Sequence, residues 1–315
     1  MPRFACAVPL LAGTFALAQI GPQTAPWTAA PSELIVFGDS FSDVGEFGPP
    51  AEPDGRSYFQ NRATNGFLWW ELLAAELDIP SRNPAIGGGT TQSVLDEQIT
   101  LFREHSGAFA SDSLVVLLVG TNDIVDQPFL FGSPGAARDA AIDALVDNLF
   151  EFVSTMSSLG AQRFMLTTQF DVTGFPVVFS DDALAGLLPT LATVDDAINA
   201  RLEAETPALA RQLGVSITLY DLAGLVEDVV ANPGAYGITN TTEPADSDGG
   251  VVADPDAYLW WDVIHPTARF HEIFAEELVD FLQTPCSATD VAAPLGVLDL
   301  ADVDAFIAGF LAGCP

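Results

Sequence analysis

Short apolar runs alternate with longer stretches in which apolar residues recur every three or four positions. The runs Leu34–Phe37, Ser81–Ile86, Ser113–Val119, Arg163–Thr168 and Ser216–Tyr220 read as strands. Ser113–Val119 is the clearest, because its unbroken apolarity is what a strand buried on both faces of a parallel sheet requires. Between the runs, Gly66–Leu77, Ser93–His105, Ala136–Leu159, Val194–Leu213 and Thr267–Leu282 carry helical periodicity, the fourth despite Pro207. Strands alternating with helices predict an α/β fold around a mostly parallel five-stranded sheet. The segment Asn232–Asp256 is rich in Gly, Asn, Thr, Pro and Asp without a period and reads as a long surface loop. Composition shifts again at Gln283–Cys286, which sets domain bounds of 32–283 and 286–315.

Composition narrows the chemistry. The 315 residues are 49% hydrophobic, enough for a substantial core. The formal charge is −33 and all ten basic residues are Arg. Without Lys there is no Walker phosphate loop, Schiff-base lysine or Ser/Lys dyad, and nucleic acid or an anionic membrane is a poor partner for so acidic a chain. Residues 1–18 run from Met1-Pro2-Arg3 through an apolar stretch to Ala16-Leu17-Ala18. They read as a secretory signal peptide cleaved after Ala18; the competing reading, a membrane anchor, is disfavoured because a span needs about 20 apolar residues. No other segment is apolar and long enough to span, so a secreted or cell-surface location is expected. Cleavage removes Cys6 and leaves Cys286 and Cys314, an even pair suited to a disulfide in an oxidising compartment.

Four segments follow predicted strands: Gly38-Asp39-Ser40, Asn83–Thr91 with its run Gly87-Gly88-Gly89, Gly120-Thr121-Asn122-Asp123, and Asp262-Val263-Ile264-His265-Pro266. In a parallel sheet the carboxyl ends of the strands share one rim, where such loops converge. A serine hydroxyl becomes nucleophilic when a base takes its proton, and a carboxylate orients that base and stabilises the imidazolium. Ser40, His265 and Asp262 supply these parts. The Ser40 backbone N–H, a glycine N–H and the Asn122 amide are donors for the oxyanion of an acyl-transfer intermediate. Each piece alone has a plainer reading: Asp39-Ser40 as a helix cap, Asn122-Asp123 as a turn, Asp262 as an ion-pair partner, His265 as a surface histidine. Their order and placement after the strands favour catalysis. Asp123 reads as structural, and His105 and His271 as solvated or packed. No cluster of His, Cys and carboxylates has zinc spacing, and the glycine run lacks a dinucleotide fingerprint, so neither metal nor organic cofactor is expected.

These four segments resemble the sequence blocks of the GDSL, or SGNH, hydrolase family, in particular its Phe-Gly-Asp-Ser subgroup. Arg62-Ala63-Thr64-Asn65-Gly66 is similar to a further block of that subgroup. The resemblance, over about residues 32–283, implies a flavodoxin-like three-layer sandwich and esterase or lipase activity without a cofactor. It implies Ser40 as nucleophile, Asp262 and His265 as acid and base, and Gly88 and Asn122 in the oxyanion hole, with the neighbouring glycines as alternatives to Gly88. Phe41 stands where the family usually has leucine. Phe129 and Phe131, after the Asn122 loop, and Phe175 and Phe179, after the fourth strand, are candidates for substrate contact, with core packing the equal alternative. The expected substrate is a small-molecule, lipid or glycan ester. Transfer of the acyl group to an alcohol, or binding of glycan or lipid without turnover, are the competing functions. The tail 286–315 weakly resembles half of a dockerin module, a surface or protein attachment unit, and reads equally as a plain helical appendage; its apolar early loop positions make a calcium site doubtful.

Overall fold

The computed structural model describes residues 31–47, 58–105, 108–110, 112–177 and 183–283. The leader-like residues 1–18, Phe179 and the tail 286–315 lie outside the described residues, as does any pairing of Cys286 with Cys314.

Strands β1 (Leu34–Gly38), β2 (Ser81–Arg82), β3 (Leu114–Leu118), β4 (Arg163–Thr167) and β5 (Ser216–Tyr220) form one sheet in the order β2-β1-β3-β4-β5, with every neighbouring pair parallel. This is the doubly wound order of a flavodoxin-like fold. The central strands β1 and β3 are buried at every position, which explains why both are apolar without alternation. At the edge, β5 alternates between buried and half-buried residues. The second strand is shorter than the run Ser81–Ile86 predicts, because Pro84 has no N–H to give a ladder and Asn83 turns the chain. The Asn83 side chain accepts from Ala85 N at 2.9 Å and donates to Ser42 O at 2.6 Å.

Right-handed crossovers in this order send the β1–β2 helix Trp69–Glu76 to one face and the later connecting helices to the other. Trp69–Glu76 packs against the closing helix Ala268–Gln283, and Ala136–Ser158 packs against Val194–Leu213. The last of these keeps Pro207 inside it and ends at Gly214, whose φ of 68° is a left-handed cap that glycine adopts without steric cost. In the core, the Phe37 ring on β1 lies 5.4 Å from Phe102 and 4.9 Å from Phe152. Burying a side chain of this size contributes about 1.5–3 kcal/mol.

The reading of Asn232–Asp256 as a structureless loop needs correction. It holds a 3-10 turn at Pro233–Tyr236, strand β6 (Asn240–Pro244) and a hairpin of β7 (Asp246–Ser247) with β8 (Gly250–Val251). Strand β6 pairs in parallel with β9 (Tyr258–Trp260). Strand β8 is exposed and β6 mixes exposed with half-buried residues, so no apolar period marks them in the sequence. Their role is positional: β9 delivers the chain to Trp261, whose N–H donates to His265 O at 2.7 Å and closes the loop that carries Asp262 and His265.

Candidate active site

The site lies at the carboxyl ends of β1 and β3, the point where strand order reverses and where a doubly wound sheet opens a crevice. Strand β1 ends at Gly38, where a Cβ would stand 2.2 Å from the Leu118 carbonyl oxygen of β3. Only glycine lets the two strands approach so closely there. The Gln98 side chain clamps the same residue from both sides, accepting from Gly38 N at 3.1 Å and donating to Gly38 O at 2.6 Å. Gln98 ends a π-helical turn, Val94–Gln98, a local irregularity often found at functional sites. Next, the Asp39 carbonyl accepts from Ser42 N and Asp43 N, each at 3.0 Å, and its Oδ1 from Phe41 N at 3.0 Å. The chain is thereby folded into a tight turn with Ser40 at its head. Asp39 itself is fully buried, and burial pushes its carboxyl up to about 7 against the Phe41 hydrogen bond and the His265 charge.

Ser40 Oγ lies 2.8 Å from His265 Nε2, and His265 Nδ1 lies 2.7 Å from Asp262 Oδ2. Two backbone groups, Ile264 N at 2.8 Å and His265 N at 2.7 Å, donate to Asp262 Oδ1. The loop geometry that places Asp and His three residues apart therefore also aims the carboxylate. Burial by itself would raise the Asp262 carboxyl; the His265 hydrogen bond and charge, the backbone donor and the Tyr58 hydroxyl outweigh it and hold the group at about 2. Asp262 is thus an anion, as a partner for an imidazolium must be.

Of the three consecutive glycines, Gly87 N donates to Asp43 Oδ2 at 2.7 Å and Gly89 N to Ile86 O at 3.0 Å. Gly88 lies between them with φ 74°, and nothing stands within 4 Å of where its Cβ would be. The N–H groups of both its neighbours are thus engaged within the protein. Asn122, on the short helix Thr121–Val125 after β3, spends one amide hydrogen on Gly89 O at 2.9 Å, which fixes its plane and leaves the other hydrogen to donate. Asp123 is structural: its carboxylate accepts from Thr91 N at 2.9 Å and Thr91 Oγ1 at 2.7 Å, tying the Asn122 turn to the glycine segment. Ser40, His265 and Asp262 thus form one hydrogen-bonded relay, and Asn122 is tied through Gly89 O to the segment that holds Gly88.

The aromatic candidates divide. Phe129 is 60% exposed on the turn after Asn122. Phe131 and Phe175 are instead buried core residues, Phe175 edge-on to Phe170 and Trp260, so neither has surface to offer a substrate. Phe41 also points inward, its ring 5.8 Å from Phe170 and 6.1 Å from His265. His271 is buried on the closing helix, its Nδ1 accepting from Trp69 N at 3.4 Å, and His105 is exposed. Sequence reading missed Asp43, Gln98 and Tyr58. Asp43 stands inside the motif it supports, but nothing marks Tyr58, which reaches Asp262 across 204 residues.

Residues 34–278 match the family profile described as GDSL-like Lipase/Acylhydrolase. The thermolabile hemolysin of Vibrio parahaemolyticus is 26% identical over 278 residues, covering 79% of this chain and 63% of its own length. The GDSL esterase/lipase APG of Arabidopsis thaliana is 23% identical, covering 78% of this chain and 89% of its own. Among solved structures, Axe2, an acetylxylan esterase from Geobacillus stearothermophilus, is similar at 17% identity with a TM-score of 0.43, covering 81% of this chain and 96% of its own.

Proposed function

Because the chain belongs to the GDSL-like lipase and acylhydrolase family and is a carboxylic ester hydrolase, we propose that it cleaves esters through an acyl-enzyme on Ser40. The observation that carries this reading is the unbroken relay from Ser40 Oγ through His265 to Asp262. His265 Nε2 takes the hydroxyl proton as Oγ attacks the ester carbonyl carbon, and Asp262 stabilises the imidazolium that forms. The carbonyl oxygen becomes an oxyanion facing the Ser40 and Gly88 N–H groups and the free Asn122 amide hydrogen. Collapse expels the alcohol, which takes the proton from His265. Water then repeats the sequence against the acyl-enzyme, with His265 again as base, and releases the acid.

Phe129 offers the substrate an apolar contact beside the Asn122 turn. A panel of chromogenic acyl esters of increasing chain length, alongside acetylated polysaccharide, tests the reading; absence of turnover on every member would refute it. Asn122→Ala is expected to lower kcat by roughly 10²- to 10³-fold with a smaller change in KM, since the lost donor acts on the developing charge. An unchanged kcat in a chemistry-limited assay would remove Asn122 from the site.

We also place the protein outside the cytoplasm, a reading supported by the signal-like residues 1–18. Terminal sequencing of protein recovered from the medium or cell surface should find Gln19 first. An intact Met1 on exported protein would refute cleavage.

A further inference from the structure

The Asp262 carboxylate is held on both oxygens. Ile264 N and His265 N, both donating to Oδ1, already fix its plane. Oδ2, the oxygen that faces His265 Nδ1, accepts a second bond from the Tyr58 hydroxyl at 2.6 Å. Tyr58 is half-buried, and its ring meets Trp261, the residue before Asp262, edge-on at 6.4 Å. Since backbone donors aim the carboxylate, the hydroxyl has a different effect. It draws charge from the oxygen that pairs with the imidazole and covers that oxygen against water. A donor to a carboxylate stabilises the anion and weakens its pull on a neighbouring proton.

We propose that Tyr58 is a positioning residue of the esterase reaction, acting through Asp262: its hydrogen bond to Oδ2 sets how tightly the carboxylate holds the His265 imidazolium. The proposal rests on the Ser40 acyl-enzyme reading. Besides Asp262 on its own loop, the charged or titratable groups coupled to His265 are Asp39 on the β1 turn and His271 on the closing helix.

The test is kcat/KM as a function of pH for the wild type, for Tyr58→Phe, and for protein carrying 3-fluorotyrosine at position 58 alone. Each is also treated with a fluorophosphonate that labels an activated serine. Phenylalanine keeps the ring and removes the donor. Its acid limb should move up by about 0.5–1 pH unit, so that rates below the limb fall about 3- to 10-fold relative to the plateau. The plateau itself should stay within about threefold of the wild type. Fluorotyrosine is a stronger donor and should move the limb down. It decides the question alone if Tyr58→Phe does not fold. Acid limbs that coincide in the variant and the wild type, or a loss that is uniform with pH and accompanied by a lower Tm, would overturn the proposal. A wild type that is not labelled at Ser40 would instead sink the acyl-enzyme reading on which it rests.

Discussion

Ser40→Ala is expected to lower kcat for ester cleavage by about 10⁵- to 10⁶-fold, the scale on which loss of a triad nucleophile acts. Stability should be unchanged within about 0.5 kcal/mol. The two expectations separate because different atoms carry them. The Ser40 hydroxyl bonds His265, whereas the turn is shaped by the Asp39 carbonyl and carboxylate and by the Gln98 clamp on Gly38. Alanine leaves all of those in place. Paired measurements of turnover and thermal melting check this, together with labelling by a fluorophosphonate, which should mark the wild type and spare the variant. Label recovered on a different serine would show that the nucleophile has been misassigned.

Asp262→Asn should cost about 10⁴-fold in kcat, through a tautomer and not through misfolding. Two backbone N–H groups point at Oδ1, so the asparagine must place its carbonyl oxygen there and its NH₂ where Oδ2 was. That NH₂ faces His265 Nδ1, which must then act as acceptor. The ring proton moves to Nε2, the nitrogen 2.8 Å from Ser40 Oγ, and the base can no longer take the serine proton. The Tyr58 hydroxyl would also face a donor instead of an acceptor. Kinetics combined with imidazole NMR can read both effects. A variant with near wild-type kcat, or one with the proton still on Nδ1, would contradict this account.

The loops of Ser40 and Asn122 were legible in the sequence because each follows a buried strand, β1 or β3, and such strands announce themselves by unbroken apolarity. All five strands of the main sheet fall within or close to the runs that predicted them, and Ser216–Tyr220 coincides. Elements lacking that signal were lost. Strand β6 has no fully buried residue, so its Asn, Thr and Glu residues look like a loop. The helix Leu222–Ala231 went unassigned although Asp221 caps it, with Oδ1 accepting from Gly224 N at 2.9 Å. Its apolar residues follow the strand Ser216–Tyr220 so closely that the change of period is easy to overlook. Phe131 and Phe175 show a different limit: an aromatic beside a catalytic loop can face the pocket or the core, and composition is the same either way. Tyr58 shows a third, since a partner 204 residues distant leaves no local spacing to read.

The segment 64–69 is fastened to 266–271 at three places. Thr64 Oγ1 donates to Pro266 O at 2.8 Å, Asn65 Oδ1 accepts from Ala268 N at 2.7 Å, and Trp69 N donates to His271 Nδ1 at 3.4 Å. Gly66 lies so near Ala268 that a Cβ would stand 2.6 Å from its methyl group. In the proposed mechanism the nucleophile and its base are 225 positions apart, and the loop of the base runs directly into the fastened segment. The relay therefore requires the closing helix to be docked on the segment 64–69. In that mechanism nucleophile and base meet only when the two ends of the domain are joined.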